Sequence, residues 1–248
     1  MQSLVRAMAV LLPCGTIAYS TDLFRAVGLL FYPEQFFGVM FGLATAICYL
    51  HVPAGAERIR TGAVPWYDLV AAVLAIVGGI HIALRYPYLT EHVAEVPLEG
   101  LVTACIYFVL IIEGVRRSVG PPIAIVAGSF VVLALLGQYL PGTLTGRPVA
   151  VDRLAYYLIW DSTAVLGLPM TIITSIVVCF VLFGQALFQS GGSAFFTDIS
   201  MVLMGRFRGG PAKIAIVASS LFGTISGSVV ANVVSTGVVT IPLMKDAG

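Results

Sequence analysis

Charged side chains are scarce in this sequence of 248 residues. Only 10% of the residues are Asp, Glu, Lys or Arg, whereas 59% are hydrophobic. Soluble domains carry roughly 25% charged residues, and a chain with far fewer cannot cover a surface that faces water. The composition therefore excludes a soluble globular protein. With a mean hydropathy of +1.01, it predicts a protein whose exterior faces lipid.

The sequence also lacks an excess of charge of either sign. Its 13 Lys and Arg residues nearly balance its 12 Asp and Glu residues, and the formal net charge is +1. Nucleic-acid binding needs a strongly basic surface, so no nucleic-acid partner is expected. The basic run GRFRGGPAK at residues 205–213 carries the positive charge that loops flanking a membrane ordinarily have.

Cysteine and histidine are too few and too scattered to build a metal site or a disulfide framework. Each cysteine lies alone in an apolar run, and the histidines form neither an HExxH motif nor a pair at ligand spacing. The residues concerned are Cys14, Cys48, Cys105, Cys179, His51, His81 and His92. A membrane-embedded enzyme would need ionisable groups clustered within the bilayer. We therefore expect no catalytic residue, no enzymatic activity and no cofactor.

Long stretches without any charge dominate the sequence. They are residues 7–21, 35–56, 69–84, 100–112, 118–146, 162–197 and 214–244. A helix that crosses a bilayer needs about 20 residues. The fourth stretch has only 13, so a crossing there must place Glu99 or Glu113 near an interface. We expect Glu113 to pair with Arg117, which lies four residues later on the same helical face.

This pattern predicts an all-α polytopic membrane protein with about six transmembrane helices, an interfacial amphipathic helix and a C-terminal broken helix or re-entrant hairpin. The sixth stretch is too long for one crossing, and Gly191 and Gly192 are expected to break it. Apolar residues at three- and four-residue spacing follow, which predicts a short helix along the cytoplasmic interface. They are Phe195, Phe196, Ile199, Val202 and Leu203.

The short basic loops predict a cytoplasmic N-terminus. In that orientation, eight cations lie inside and four lie outside. Those inside are Arg6, Arg58, Arg60, Arg116, Arg117, Arg206, Arg208 and Lys213, and those outside are Arg25, Arg85, Arg147 and Arg153. The acidic loop with Glu91, Glu95 and Glu99 then also lies outside.

Aromatic residues mark two predicted membrane interfaces. Trp66 and Tyr67 follow Pro65 at the inner start of the third helix, and Asp68 in the first turn suits a helix N-terminus. An outer belt of aromatic side chains is predicted after the external loop. Its members are Tyr156, Tyr157 and Trp160.

The charge-free stretch 214–244 is unusually polar. Its Ser, Thr and Asn residues are Ser219, Ser220, Thr224, Ser226, Ser228, Asn232, Ser235, Thr236 and Thr240. Hydroxyl and amide oxygens are hard ligands that suit a small cation such as Na⁺, and polar donors near a helix N-terminus suit an anionic solute. A hairpin folded at 226–228 would line a transporter's binding site. Equally, Gly223 and Gly227 form a GxxxG motif, which is typical of closely packed helices. The spacing alone does not distinguish a binding-site hairpin from a helix-packing surface.

The run GRFRGGPAKIAIVASSLFGTISGSVVANVVSTGVVTIPLMKDAG, residues 205–248, resembles the signature region of the large permease subunit of tripartite ATP-independent periplasmic (TRAP) transporters. It is most similar to the form in which small and large membrane subunits share one chain. Weaker similarities are PWYD at 65–68, EGVRRSVG at 113–120 and YLPG at 139–142. The resemblance implies a Na⁺-driven secondary transporter of the inner membrane that receives an organic acid, typically a carboxylate, from a periplasmic solute-binding protein.

The resemblance also implies roles for individual residues. ISGS at residues 225–228 resembles the family's first hairpin tip, which implies that Ser226, Gly227 and Ser228 bind Na⁺. On the following half-helix, the resemblance implies that Asn232, Ser235 and Thr236 contact the solute or the cation. It implies no metal other than Na⁺.

The basic, proline-containing linker RRSVGPP at 116–122 predicts a module boundary. Residues 1–117 would then form a four-helix module like the small subunit, and residues 118–248 the N-terminal part of the large subunit. Inverted-repeat transporters need both halves, so we expect this chain to be incomplete at its C-terminus and to require the remainder of a permease. The alternative is a non-transporting membrane scaffold or assembly subunit.

Overall fold

The structure, a computed structural model, is helical throughout its described elements. It describes residues 2–55, 64–139, 141–142 and 145–226, and near the C-terminus residues 236–237, 240–242 and 244–245. No strand occurs among these residues, and the predicted all-α class is confirmed. The helices are α1 (Gln2–Ser20), α2 (Leu23–Ala26), α3 (Pro33–His51), α4 (Trp66–Glu91), α5 (Leu98–Ser118), α6 (Pro121–Leu136), α7 (Val151–Trp160), α8 (Leu168–Ile172), α9 (Val178–Gln189), α10 (Gly192–Met204) and α11 (Gly210–Ser226).

Within the described residues, four helical segments are long and apolar enough to cross a membrane. They are Trp66–Glu91, Leu98–Ser118, Pro121–Tyr139 and Leu168–Leu187. The last segment runs through α8, a π-helical turn at Ile173–Val177 and most of α9. Shorter apolar helices cover Val5–Ser20 and Ala194–Met204. The protein is therefore a polytopic membrane protein, and the count of about six crossings stays a prediction.

Glycine and proline set the helix boundaries that the sequence predicted. Between α5 and α6, Gly120 adopts a φ of 110°, which glycine reaches without a steric penalty, and Pro121 starts α6 as proline can in a first turn. The predicted break at 191–192 is confirmed, because Gly191 adopts a φ of 92° and α10 begins at Gly192. A turn at residues 205–209, within the basic run, separates α10 from α11.

The closest helix packing is between α3 and α4. An added Cβ at Gly42 would lie 2.7 Å from the carbonyl oxygen of Ala75, and one at Gly79 would lie 2.7 Å from the carbonyl oxygen of Gly38. The buried hydroxyl of Tyr107 in α5 donates to the Ala75 carbonyl oxygen at 2.7 Å. Small residues therefore bring two backbones together, as is typical of membrane helices.

Contacts within the chain form two compact units, Met1–Ser175 and Ile176–Gly248. Lipid is as apolar as the buried side chains, so tight packing and hydrogen bonds stabilise each unit rather than removal from water. The core of the first unit lies among α3, α4, α5 and α7. Its largest buried side chains among the described residues are Phe37, Tyr49, Ile82, Tyr86, Leu89, Tyr107, Tyr156, Ile159, Trp160 and Leu166.

In the second unit, α10 and α11 pack against each other. The rings of Phe196 and Phe222 meet edge to face, with centroids 6.4 Å apart. Polar residues are buried alongside them: Ser200 is fully buried, and its hydroxyl donates to the Phe196 carbonyl oxygen at 2.6 Å. The helix predicted over 195–203 is confirmed, and its position at a membrane interface stays a prediction.

The predicted outer aromatic belt is wrong for two of its three members. Tyr156 and Trp160 are buried in the core of the first unit, whereas Tyr157 is exposed. The Trp160 indole nitrogen donates to the Gly100 carbonyl oxygen at 2.9 Å, and the Tyr156 hydroxyl donates to the Leu89 carbonyl oxygen at 2.8 Å. Their polar atoms therefore bind buried helix carbonyl oxygens inside the protein instead of lipid headgroups.

Candidate transport site

The α10–α11 hairpin leads into the segment that the sequence predicted as the ion site. Ser226 is the last residue of α11. The other predicted Na⁺ ligands, Gly227 and Ser228, lie outside the described residues, as do Asn232 and Ser235. The roles of these five residues stay predictions.

Thr236 is the one predicted contact whose surroundings the structure describes. It is buried, and its carbonyl oxygen accepts a hydrogen bond from the hydroxyl of buried Thr240 at 2.8 Å. Hydroxyl and carbonyl oxygens are therefore present inside an apolar part of the second unit, and such oxygens can ligate a hard cation. The role of Thr236 toward a solute or an ion stays a prediction.

Two further buried hydroxyl groups of the second unit were not predicted. Thr197 and Ser200 lie on the buried face of α10, where Thr197 is 2% exposed. Among the described residues there is no group of three or more His, Cys, Asp and Glu that could hold a metal ion.

Five polar side chains meet where α3 and α5 end and α4 begins. This α4–α5 ionic cluster consists of Tyr49, Asp68, Glu113, Arg116 and Arg117. Arg117 donates from Nη1 to Asp68 Oδ1 at 2.6 Å and from Nε to Glu113 Oε1 at 2.8 Å. Arg116 donates to both carboxylate oxygens of Glu113 at 2.7 Å. The predicted Glu113–Arg117 pair is confirmed, and Asp68 extends it to a second helix.

Burial makes the pairing in this cluster obligatory. The side chain of Asp68 is fully buried, and that of Arg117 is 5% exposed. The Arg117 guanidinium also lies over the Tyr49 ring, 4.6 Å from its centroid, and the Tyr49 hydroxyl donates to the Leu110 carbonyl oxygen at 3.0 Å. An unpaired charge at such a site is strongly unfavourable. The arrangement fits a structural clamp that joins three helices.

The place of Asp68 in this cluster was not predicted from the sequence. Asp68 was expected only in the first turn of α4, where the helix dipole favours a carboxylate. A usable signal existed, because α4 and α5 are consecutive helices joined by a short linker, residues 92–97. Consecutive helices with a short linker are antiparallel neighbours, so the start of α4 must lie beside the basic end of α5.

A second polar cluster lies at the opposite end of the α4–α5 hairpin. Arg85 of α4 forms an ion pair with Glu99 of α5. The Thr103 hydroxyl donates to the Glu99 carbonyl oxygen and lies 3.0 Å from His81 Nδ1. The His81 ring meets the Trp160 ring of α7 edge to face, with centroids 6.0 Å apart. This cluster links α7 to the hairpin.

The packing of α7 against the α4–α5 hairpin changes the pKa of Tyr156. Burial raises the pKa of its hydroxyl to about 12, and the nearby negative charge of Glu99 acts in the same direction. The neutral phenol is favoured, and it donates to the Leu89 carbonyl oxygen. At neutral pH, Tyr156 therefore serves as a hydrogen-bond donor that holds α7 on α4.

The comparisons with known proteins point to a single family. A family model described as "Tripartite ATP-independent periplasmic transporter, DctM component" matches residues 104–248, which is more than half of the chain. A Haemophilus influenzae protein, whose name describes it as a TRAP transporter large permease, is 30% identical over 88 residues. That alignment covers 36% of this chain and 19% of the relative, so the chain spans only about a fifth of the relative's length. No solved structure is significantly similar to the chain.

Proposed function

Because the chain belongs to the DctM component family of tripartite ATP-independent periplasmic transporters, we propose that it acts as a membrane permease component of a Na⁺-coupled, binding-protein-dependent secondary transporter for organic acids. The match over residues 104–248 carries the proposal, because it includes the whole polar C-terminal segment. The chain is a multi-pass membrane component of a transporter, and a permease of this kind is in general not an enzyme.

The ion site that we propose lies at the end of α11. Ser226, Gly227 and Ser228 would supply hydroxyl and carbonyl oxygens to Na⁺, and Asn232, Ser235 and Thr236 would line the path of the solute or ion. The burial of Thr236 and Thr240 supports this assignment, since hydroxyl and carbonyl oxygens that could bind a cation lie away from the surface. Na⁺ coordination by such neutral oxygens needs no ionised side chain.

We further propose the partners that this function needs. A periplasmic solute-binding protein would deliver the organic acid, and the remainder of a permease would supply the second half of the site. Residues 1–117 would serve as the small-subunit-like module. The basic loops favour a cytoplasmic N-terminus, and the family supports a location in the inner membrane; both stay proposals.

Uptake measurements with hydroxyl-deletion variants test the ion site. Cells would carry the chain's gene with its flanking genes, and uptake of a panel of radiolabelled organic acids would be measured against Na⁺ concentration. Ser226→Ala and Ser228→Ala should each raise the Na⁺ concentration for half-maximal uptake by about tenfold, because one oxygen ligand is lost. A tenfold change corresponds to roughly 1.4 kcal/mol, the contribution of one modest binding contact. Ser129→Ala, which alters an exposed serine of α6, is the matched control.

Two outcomes would contradict the proposal. An unchanged Na⁺ dependence in both variants would remove the proposed site. Uptake that requires the chain but depends on neither Na⁺ nor these serines would favour the alternative, a non-transporting scaffold or assembly subunit.

A further inference from the structure

The turn between α10 and α11 concentrates positive charge in the second unit. Arg206, Phe207, Arg208 and Lys213 form what we call the basic turn cluster. Backbone hydrogen bonds fix the turn, since the Phe207 amide donates to the Met204 carbonyl oxygen at 3.1 Å and the Lys213 amide donates to the Gly209 carbonyl oxygen at 3.2 Å. The cations therefore sit on a defined backbone.

Two of these cations lie close to the ring of Phe207. The Arg206 guanidinium carbon lies 5.6 Å from the Phe207 ring centroid, and Lys213 Nζ lies 5.4 Å from it. In the part of the chain that the structure describes, no carboxylate forms a salt bridge with Arg206, Arg208 or Lys213. No ion pair among the described residues therefore offsets the mutual repulsion of these positive charges. A bound anion would reduce this repulsion.

An exposed apolar surface lies beside the cluster. Phe207 is 47% exposed, and near the end of α10 Val202 is 81% exposed and Leu203 is 49% exposed. Exposed cations next to exposed aromatic and aliphatic side chains are the pattern of a segment that lies in the boundary between lipid headgroups and acyl chains. A soluble anion would engage the cations alone and leave these apolar side chains in water.

We propose that the basic turn cluster binds the phosphate groups of anionic phospholipids, with Phe207, Val202 and Leu203 inserted among the acyl chains. Charge complementarity selects an acidic headgroup, and the adjoining apolar surface selects a lipid over free phosphate. This surface is separate from the proposed ion site at the end of α11, so each proposal can fail while the other stands.

Lipid titrations of the purified 248-residue chain test this proposal. Native mass spectrometry in detergent would compare dioleoyl-phosphatidylglycerol with dioleoyl-phosphatidylcholine. Each Lys or Arg near an anionic lipid surface strengthens binding by about fivefold. Each of Arg206→Gln, Arg208→Gln and Lys213→Gln should therefore weaken phosphatidylglycerol binding by about fivefold, and the triple variant by about a hundredfold.

Two control variants separate a specific cluster from general charge. Arg147→Gln/Arg153→Gln removes two exposed cations of the first unit and should leave phosphatidylglycerol affinity within about twofold, a change of about 0.4 kcal/mol. Arg206→Lys/Arg208→Lys keeps the charges and should retain most of the affinity. The single variants keep the test decisive if the triple variant does not fold.

Several results would overturn the proposal. These are equal binding of the two lipids by the wild-type chain, wild-type affinity in all three single variants, and an equal loss of affinity in the first-unit control. Displacement of phosphatidylglycerol by millimolar inorganic phosphate would assign the cluster to a soluble anion instead.

Discussion

At the scale of single residues, the polar groups of the first unit bind each other inside the protein. Asp68 and Arg117 pair across two helices, and Tyr107, Tyr156 and Trp160 donate to helix carbonyl oxygens. Each contact lets a polar atom lie within an apolar environment without the cost of an unmade hydrogen bond. Ionisable residues in a membrane helix suggest a functional site by default, but here the geometry fits a structural role.

Removal of Arg117 should strongly destabilise the first unit. Arg117→Ala removes the guanidinium that pairs with the fully buried carboxylate of Asp68, and loss of one partner of a buried pair costs about 3–5 kcal/mol. The free energy of unfolding would be measured by titrating SDS into dodecyl maltoside micelles and following circular dichroism. Arg153→Ala, on the exposed face of α7, should change it by less than about 0.5 kcal/mol.

A second variant keeps that prediction falsifiable. Asp68→Asn/Arg117→Gln removes both charges and should recover part of the stability that Arg117→Ala loses. Equal stability of wild type and Arg117→Ala would show that the ionic cluster is no clamp.

Tyr156 should make stability depend on alkaline pH. Its pKa is raised to about 12 in the fold, whereas an unfolded tyrosine titrates near 10. The unfolded chain therefore loses its proton first as the pH rises, and the stabilisation from the neutral buried phenol, complete below pH 10, declines as the pH approaches 12.

Comparison with Tyr156→Phe isolates this effect, because phenylalanine does not titrate. Below pH 9 the wild type should be more stable than Tyr156→Phe by about 1 kcal/mol, owing to the hydrogen bond to Leu89. This advantage should shrink between pH 10 and pH 12 in unfolding experiments at each pH. A constant difference across that range would mean that Tyr156 keeps an ordinary pKa.

At the scale of helices, small residues determine how closely α3 and α4 approach. Gly38 and Gly42 face Ala75 and Gly79, and Tyr107 of α5 closes the contact from the side. A GxxxG motif was predicted from the sequence only at Gly223, and the one at Gly38 and Gly42 was not. The spacing is the same at both places, and only the observed neighbour distinguishes a packing motif from chance.

A methyl group at Gly42 should separate these two helices. In Gly42→Ala, the new Cβ would lie 2.7 Å from the Ala75 carbonyl oxygen, which is backbone and cannot rotate away. Overpacking of this kind costs about 1–3 kcal/mol. Gly128→Ala is the matched control, because nothing lies within 4 Å of an added Cβ there, and its stability should stay equal or rise by up to about 1 kcal/mol. Equal effects of the two substitutions would contradict close α3–α4 packing.

At the scale of the whole molecule, the two polar clusters of the first unit lie at opposite ends of the α4–α5 hairpin. Arg116 and Arg117 are at one end, and Arg85 with Glu99 is at the other. The positive-inside rule assigns the Arg116 end to the cytoplasm. In that orientation the Arg85–Glu99 end of the hairpin lies on the opposite side of the membrane, so the accessibility of either end can reveal the orientation.

Cysteine labelling of the two ends tests this orientation. In a background with the four native cysteines replaced by serine, Glu95→Cys and Val119→Cys would be exposed to a membrane-impermeant maleimide. In intact spheroplasts, Glu95→Cys should be labelled and Val119→Cys should not, whereas permeabilised cells should label both. The reverse pattern would place the N-terminus outside.

The sequence by itself determined the membrane class, the helix breaks and the Glu113–Arg117 pair. These follow from local chemistry: scarce charge, glycine and proline at turns, and residues four apart on one helix face. Even the short helix after Gly191 was predictable from its spacing. The family could also be inferred, because residues 205–248 carry a long, nearly continuous signature, and the family match to 104–248 agrees with it.

Only the tertiary structure decided which residues meet across helices. Asp68 reaches Arg117, and Tyr156 and Trp160 turn into the core instead of toward an interface. The sequence pattern of one helix contains no information about the rotation of its neighbour, and an aromatic residue suits a membrane interface and a protein core equally well. Partners across an interface are fixed by packing, and packing exists only in the folded chain.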